Sequence, residues 1–304
     1  MIQYTPTDTD RALFPDSYGQ EARYLGYRQG EEAKPYAKYF RGETLPVQDH
    51  VRDVIGAGMA PTEYAYGVDE AARIMSRPGY HNMETGWTRV PGGFMICVLT
   101  DMPGVTAEMW DWWFGWHSTE TARYKLWYPD AHQFSALGED RSGDRTLTDR
   151  QRYIDNVSYV DEYVGGFLHR LAIRFTDPTR LGFDEPGPGH AVICARVGLS
   201  QYPVAQGWLI HQVRPTTNGA EMRSRFFLSD PQVLDLPHHS VPGRGAALLR
   251  GKTARKLGDS TLPRLAKRAL GPTFGQDLLY HCGAEMNHLA SFLPHLHEEF
   301  NGTP

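Results

Sequence analysis

The sequence predicts an α+β fold in which antiparallel strands lie between a mostly helical N-terminal section and a long C-terminal helix. Large apolar residues recur at helical spacing before the strands. Segments rich in β-forming residues then follow one another with short turns between them. The last apolar stretch again has helical length. Strands grouped apart from helices are typical of α+β proteins, and a curved sheet around one long helix would enclose a cavity.

The first half of the chain carries most of the predicted helices. Residues 1–50 are polar and interrupted by prolines, which predicts irregular structure. A short helix is predicted in the second half of residues 61–76, and a buried strand in the second half of residues 86–100. Between residues 106 and 120, Met109 and the tryptophans recur every three or four positions, which predicts a helix.

The second half carries the strands and the last helix. Strands are predicted over residues 161–174, 190–200, 205–214 and 219–228. The first of these is interrupted by Gly165 and Gly166. A long helix is predicted from Phe274 to Phe300, with a break or bend near Pro294.

Composition limits the classes of function. The 304 residues carry 31 basic and 36 acidic side chains, a net charge of -5, which argues against a nucleic-acid partner. The basic run Arg244–Lys267 lacks interleaved aromatic residues and predicts a solvated surface. No stretch reaches the ~18 apolar residues of a membrane span, and the N-terminus has no signal-peptide features. Three distant cysteines, Cys97, Cys194 and Cys282, favour a reducing, cytoplasmic compartment.

The aromatic content is high, with 16 Tyr, 13 Phe and 7 Trp, and four tryptophans fall between Trp110 and Trp116. Aromatic side chains bury large areas and also line small-molecule pockets. Composition alone therefore fits a roomy apolar cavity and a well-filled core equally well.

The strongest local signal for chemistry lies in the segment Tyr280–His288. Residues four apart share one helix face, so His281 and Glu285 can reach the same ion. One nitrogen and one oxygen donor suit Zn²⁺ or a similar divalent metal. Such pairs are also frequent as solvated neighbours, but here the surrounding residues are apolar, and polar groups on a core-facing stripe need partners. His288 continues the same face and is a reserve ligand.

Further donors would have to come from elsewhere, because a catalytic metal usually has about three protein ligands. His132 ends the aromatic-rich segment 124–132, and Glu162 lies at the start of a predicted strand between tyrosines. Each of them taken alone fits a structural role at least as well, as a satisfied imidazole or as a surface acid at a strand end.

Taken together, these segments resemble the 2,4-diacetylphloroglucinol hydrolase family, which includes phloretin hydrolases. The resemblance rests on Tyr124–His132 (YKLWYPDAH), Asp161–Tyr163 and His281–Glu285, in that order and at similar intervals. It extends over much of residues 85–300. Members of this family are metal-dependent enzymes that hydrolyse the carbon–carbon bond between an acyl group and a phloroglucinol ring.

The resemblance also implies a fold and an assembly. It implies a Bet v 1-like helix-grip catalytic domain over residues 86–304, with a deep apolar pocket. Residues 1–85 would form a partly helical section used in dimerisation, so a homodimer is expected. The implied ligands of a zinc ion are two histidines and two glutamates: His132, Glu162, His281 and Glu285.

The same resemblance assigns substrate contacts. Tyr124 corresponds to a tyrosine that binds a ring hydroxyl. Ser135 stands where a family member has asparagine, and Phe226 lies near the position of a second pocket tyrosine. Both departures concern ring recognition, so the resemblance supports the chemistry better than the substrate. The expected partner is a small-molecule acyl-phenol substrate, and the alternatives are a less hydroxylated or larger acyl-phenol and a cyclic β-diketone.

Proton transfer requires a titratable group. His211, on the predicted strand 205–214, and His288 are candidates because histidine titrates near neutral pH. Tyr124 and Ser135 would orient ring hydroxyls. The remaining histidines, among them His117 and His169, are interpreted as surface or core residues.

Two other functions fit the same residues. A helix-grip domain could be a non-catalytic carrier of an apolar ligand, its polar residues being structural. The same scaffold could also serve a metal-dependent polyketide cyclase or decarboxylase.

Overall fold

The computed structural model describes residues 2, 4, 5, 7, 22–229, 231–236 and 271–303. The basic run Arg244–Lys267 lies outside the described residues. Within them, no helix combines the length and apolar character that a membrane span requires.

An antiparallel sheet of nine strands forms the centre of the described chain. The strands are β1 (Gly86–Val90), β2 (Gly93–Pro103), β3 (His132–Leu137), β4 (Val157–Val164), β5 (Phe167–Thr176), β6 (Ala191–Leu199), β7 (Val204–Thr216), β8 (Gly219–Leu228) and β9 (Gln232–Val233). Their order across the sheet is β1-β2-β8-β7-β6-β5-β4-β3, and β9 pairs with β7. Hairpins connect β1 with β2, β4 with β5, β6 with β7 and β7 with β8, whereas the pairing of β2 with β8 joins distant parts of the chain.

Helices cover both faces of this sheet. The α-helices of the described chain are α1 (Asp49–Ala57), α2 (Val68–Met75), α3 (Ala107–Trp116), α4 (Thr121–Trp127), α5 (Asp149–Tyr153), α6 (Phe274–Ala290) and α7 (Leu293–Phe300). Short 3-10 turns lie at Glu31–Ala33, Ala37–Tyr39, Thr62–Tyr64, His117–Thr119 and Pro178–Leu181.

The alternation of side chains along each strand divides most of the described interior into two large cores, beside a small third cluster of Val157, Tyr159 and Ala172. On β2, Ile96 and Val98 face α3, α4, α6 and α7, whereas Met95 and Cys97 face α2 and the segments around it. Helix α6 packs closely against the first core at Gly275. A β-carbon at this position would lie 2.6 Å from the Trp87 ring, so only glycine permits this approach. Both faces of the sheet are therefore largely buried, although Phe167 and Leu168 at the start of β5 are exposed.

The second face holds a buried ion cluster. Arg223 and Arg225 on β8 both bind the carboxylate of Glu84, and Arg225 also donates to the Tyr66 hydroxyl. Both arginines are 1% exposed or less. Burial of Glu84 opposes ionisation, but the hydrogen bonds and charges of the two arginines outweigh it and lower the Glu84 pKa to about 2.

The predicted α+β class is confirmed, and most predicted elements lie close to the observed ones. Residues 86–100 hold two strands instead of one, because Pro91 and Gly92 turn the chain between β1 and β2. The interruption at Gly165 and Gly166 is the hairpin between β4 and β5. The last helix breaks at Ser291 and Phe292, before Pro294. The predictions do not include helices α1, α4 and α5 or strands β3 and β9. The three cysteines are free and buried.

Candidate active site

Four polar side chains meet between the sheet and the long helix α6. His132 begins β3, Glu162 lies on β4, and His281 and Glu285 lie one turn apart on α6. Ligand atoms of His132, Glu162 and His281 lie within 4.8 Å of one another. Oε2 of Glu285 lies 3.5 Å from Nε2 of His132 and 3.7 Å from Nε2 of His281.

Local geometry explains this convergence. His132 and Glu162 are a register pair across β3 and β4, so their side chains leave the same face of the sheet. A register shift follows between His132 and Phe134. His281 and Glu285 share the face of α6 that meets this end of the sheet. Each of the two strands thus supplies one side chain to the cluster, and the helix supplies two.

The two imidazoles are oriented by backbone contacts outside the cluster. Nδ1 of His132 lies 3.0 Å from the Tyr124 carbonyl oxygen. A carbonyl can only accept, so Nδ1 carries the proton and Nε2 presents its lone pair to the carboxylates. This Nε2 is buried and has no hydrogen-bond partner among the described residues. A backbone hydrogen bond to Tyr163 holds His281, whose Nε2 lies 3.9 Å from Oε1 of Glu162.

These atoms fit a divalent metal ion. Ligand nitrogen and oxygen atoms at about 2.1 Å from a tetrahedral Zn²⁺ are about 3.4 Å from each other. The separations between the histidine nitrogens and the carboxylate oxygens are 3.5–3.9 Å. An orphaned buried nitrogen surrounded by carboxylates at these distances is the arrangement that an ion would complete.

Tyr124 on α4 supports two of the four side chains. Its ring stacks on the His132 imidazole, with centroids 3.7 Å apart and planes 5° from parallel. Its hydroxyl donates a hydrogen bond to Oε2 of Glu162. One residue therefore fixes His132 through its carbonyl and ring, and Glu162 through its hydroxyl, as groups around metal ligands often do.

Burial dominates the electrostatics of the cluster. It lowers the pKa of His281 to about 3 and that of His132 well below its usual range, so both imidazoles are neutral at pH 7. Burial raises the pKa of Glu162 to about 7, although the Tyr124 hydrogen bond opposes this shift. Burial and the nearby Glu162 raise the pKa of Glu285 well above its usual range. Two buried carboxylates without a cation are costly, and a metal ion would reverse these shifts.

The cluster forms part of the wall of a cavity between the sheet and α6. The empty space is about 940 Å³, its open mouth included. Most of the wall is apolar, with Val160 on β4, Leu171 and Ile173 on β5, Leu209 on β7 and Phe226 on β8. The cavity therefore fits a ligand with an apolar body and a polar group beside the four clustered side chains.

The chain also matches known proteins. A family model described as the DAPG hydrolase PhiG domain matches residues 67–298. A 2,4-diacetylphloroglucinol hydrolase of Pseudomonas protegens is 30% identical over 318 residues, covering 100% of this chain and 98% of that protein. The chain belongs to this family. A phloretin hydrolase of Eubacterium ramulus is 30% identical over 212 residues, covering 67% of this chain and 76% of that protein.

Solved structures are less informative. A norcoclaurine synthase point mutant of Thalictrum flavum is 11% identical and covers 62% of this chain and 94% of its own. Its TM-score is 0.28, which is too low to support an argument about fold.

For this family member, the structure places some of the predicted substrate and proton-transfer residues on the cavity and others away from it. Tyr124, Phe226 and His211 line the cavity. Nδ1 of His211 lies 2.7 Å from the Ser224 hydroxyl, and burial lowers the pKa of His211 to about 3. The imidazole is therefore neutral at pH 7.

Ser135 and His288 are not among the residues that line the cavity. The Ser135 hydroxyl lies 3.2 Å from the Ser118 carbonyl oxygen, to which it donates, and the segment from Ser118 to Thr121 covers it. Nδ1 of His288 accepts a hydrogen bond from the Leu45 backbone N–H at 3.0 Å. These positions do not favour the expected roles of Ser135 in ring binding and of His288 as reserve ligand or proton carrier.

Two histidines that were interpreted as surface or core residues line the cavity. His117 follows Trp113 by one helical turn and is held by its carbonyl oxygen at 2.7 Å. His169 pairs with Glu162 across β4 and β5, and its Nε2 has no hydrogen-bond partner within the described part of the chain. The Gly165–Gly166 hairpin is a sequence signal that could have placed His169 opposite Glu162. Ser158 on β4 also lines the cavity.

Proposed function

We propose that this protein is a zinc-dependent hydrolase that cleaves the carbon–carbon bond between an acyl group and a polyhydroxylated aromatic ring. The observation that carries the proposal is the convergence of two imidazoles and two carboxylates beside an apolar cavity. The names of its relatives, hydrolases of 2,4-diacetylphloroglucinol and of phloretin, support the same class of substrate.

The proposed ligands are His132, Glu162, His281 and Glu285. Two nitrogen and two oxygen donors suit zinc, and two carboxylates would balance its charge. When bound, such an ion supplies Lewis-acid polarisation of a carbonyl oxygen and lowers the pKa of water.

The residues of the chain have separate parts in this chemistry. Apolar side chains of the cavity enclose the ring and limit the access of water to it. Tyr124 holds Glu162 and His132 in place and reaches the cavity with its ring. His211 is neutral, so it can accept a proton or a hydrogen bond from a ring hydroxyl. Loss of an acyl group from a phenol ring is easier from the keto tautomer. That tautomer forms when a ring-hydroxyl proton is removed and a proton is added to the ring carbon that bears the acyl group.

Three further features belong to the same proposal. A helix-grip fold of Bet v 1 type is supported by the position of α6 on one face of an antiparallel sheet, with the cavity between them. The division into residues 1–85 and 86–304, a homodimer formed through the first part, and a cytoplasmic location are expectations from the sequence and from the family resemblance.

Metal analysis and product analysis test the proposal together. We expect about one zinc per chain and equal amounts of free carboxylate and deacylated ring from acylphloroglucinols. His281→Ala should lose both the metal and the turnover. His295→Ala is the matched control because the His295 side chain is 79% exposed.

Two outcomes would contradict the proposal. A folded protein that binds acyl-phenols without metal and without turnover would be a carrier. A metal-loaded protein that leaves every acylphloroglucinol intact but cyclises or decarboxylates a related compound would be the other type of enzyme.

A further inference from the structure

A chain of hydrogen bonds ends at the cavity wall, away from the four clustered side chains. Ser158 lines the cavity on β4, and its hydroxyl lies 3.3 Å from the hydroxyl of Ser118. The Ser118 hydroxyl lies 3.0 Å from Nε2 of His117, and Nδ1 of His117 lies 2.7 Å from the Trp113 carbonyl oxygen. Ser158, Ser118 and His117 are 1–3% exposed, so all of these hydrogen bonds are buried.

The Trp113 carbonyl oxygen determines which group donates in every hydrogen bond of this series. The Trp113 carbonyl can only accept, so Nδ1 of His117 must donate to it. Burial lowers the pKa of His117 to about 3, so the ring is neutral and its Nε2 is an acceptor. Ser118 must then donate its single proton to Nε2. Ser158 must in turn donate its own proton to the Ser118 oxygen.

The consequence appears at the cavity wall. A hydroxyl group has one proton and two acceptor lone pairs. Since the Ser158 proton is directed to Ser118, the oxygen of Ser158 presents only acceptor capacity to the cavity. An unpartnered acceptor in an apolar wall selects a ligand that brings a donor. A phenolic O–H is such a donor, whereas an aryl methyl ether is not.

We propose that Ser158 is a specificity-determining residue that accepts a hydrogen bond from a hydroxyl of the substrate ring, with Ser118 and His117 as positioning residues that set its polarity. This inference rests on the proposed function only in taking the ligand to be a hydroxylated aromatic ring. It gives one reason why a polyhydroxylated ring is held in a cavity whose wall is otherwise mostly apolar.

The experiment measures coupling between a side chain and a ligand group. Calorimetry gives the Kd of the metal-loaded protein for sets of three ring ligands. Each set carries hydroxyl, hydrogen or methoxy at one ring position, and the sets cover the positions in turn. Wild type should prefer the hydroxyl ligand over the other two. Ser158→Ala should reduce this preference by about 2- to 12-fold, the usual range for one neutral hydrogen bond. An unchanged preference for each of the ring positions would overturn the proposal.

The positioning residues have a separate readout. In Ser118→Ala the Ser158 proton loses its acceptor and can turn toward the cavity, so binding of the methoxy ligand should improve relative to wild type. A merely structural role of Ser118 would weaken all three ligands alike, and that result would overturn the assigned polarity.

Ser291→Ala is the matched control, since its hydroxyl donates to the His288 carbonyl oxygen and Ser291 does not line the cavity. It should leave the preference among the three ligands unchanged, and a change equal to that of Ser158→Ala would overturn the proposal. Because binding is measured, the result does not depend on turnover. A protein that never cleaves acylphloroglucinols would refute the proposed function and leave this test intact.

Discussion

The Tyr124→Phe variant is the sharpest test of how the site would hold the proposed metal ion. The substitution removes one hydroxyl, which donates to Oε2 of Glu162. It keeps the ring that stacks on His132 and the carbonyl that holds Nδ1 of His132. The change therefore isolates one hydrogen bond to one proposed ligand.

The size of the effect follows from that bond. A hydrogen bond to a charged group contributes about 1.5–3 kcal/mol, which corresponds to about 1–2 pKa units. The Tyr124 hydroxyl favours the ionised form of Glu162, so its loss should raise the Glu162 pKa from about 7 by that amount. Only the carboxylate binds a cation. Zinc affinity at pH 7 should therefore fall about 10- to 100-fold, and the midpoint of metal uptake should move to higher pH.

Competition with a chromophoric chelator at several pH values measures both quantities. Tyr153→Phe is the control, since its buried hydroxyl donates to Asp111 at 2.5 Å and Tyr153 does not line the cavity. It should leave zinc affinity unchanged. If Tyr124→Phe keeps both the wild-type affinity and the wild-type pH midpoint, Glu162 is not a ligand whose charge Tyr124 supports.

Three further outcomes concern stability. Glu84→Gln should lower the free energy of unfolding by ~3 kcal/mol at pH 7, because two buried arginines lose their anionic partner. The depressed Glu84 pKa contributes stability above its ordinary value of 4.5 that is lost as pH falls toward 2, so the difference between wild type and variant should shrink in that window. Removal of metal by a chelator should lower the Tm more at pH 7 than at pH 5. The raised Glu162 pKa stabilises the metal-free fold fully below pH 4.5, and this contribution is lost as the pH rises to about 7. Gly93→Ala should destabilise by about 1–3 kcal/mol, because its β-carbon would lie 1.7 Å from the Leu228 carbonyl oxygen.

Denaturant titration and thermal melts measure these changes. Gly166→Ala is the control for Gly93→Ala, because its added carbon has no atom within 4 Å in the described chain apart from Gly166 itself and its two neighbours in sequence. A Glu84→Gln variant as stable as wild type at pH 7 would contradict the account of the ion cluster. A metal-free protein whose Tm is independent of pH would contradict the raised Glu162 pKa.

Part of the site could be predicted from local sequence, and part of it could not. His281 and Glu285 are four residues apart on one helix, so helical geometry alone brings them together. His132 and Glu162 meet through the register of β3 and β4, which has a shift near Phe134. Only the resemblance to a family brought them into the same site before the fold was known.

The residues that fell outside the site show the same limit. His288 shares a helix face with His281 but lies seven residues further on, about 10 Å along the axis, too far for one ion. Ser135 pairs with Val160, which lines the cavity, but the turn before α4 covers its hydroxyl. Sequence periodicity predicts which face a residue occupies and not what else lies over that face.

The proposed ion would also link two parts of the chain that are far apart in sequence. Its ligands from β3 and β4 lie on one edge region of the sheet, whereas those from α6 arrive from near the C-terminus. Bound metal would then hold α6 against the sheet and stabilise the wall of the cavity. We expect the amide hydrogens of α6 to exchange faster without the ion than with it. The exchange rate of this helix would then report whether the metal site is occupied.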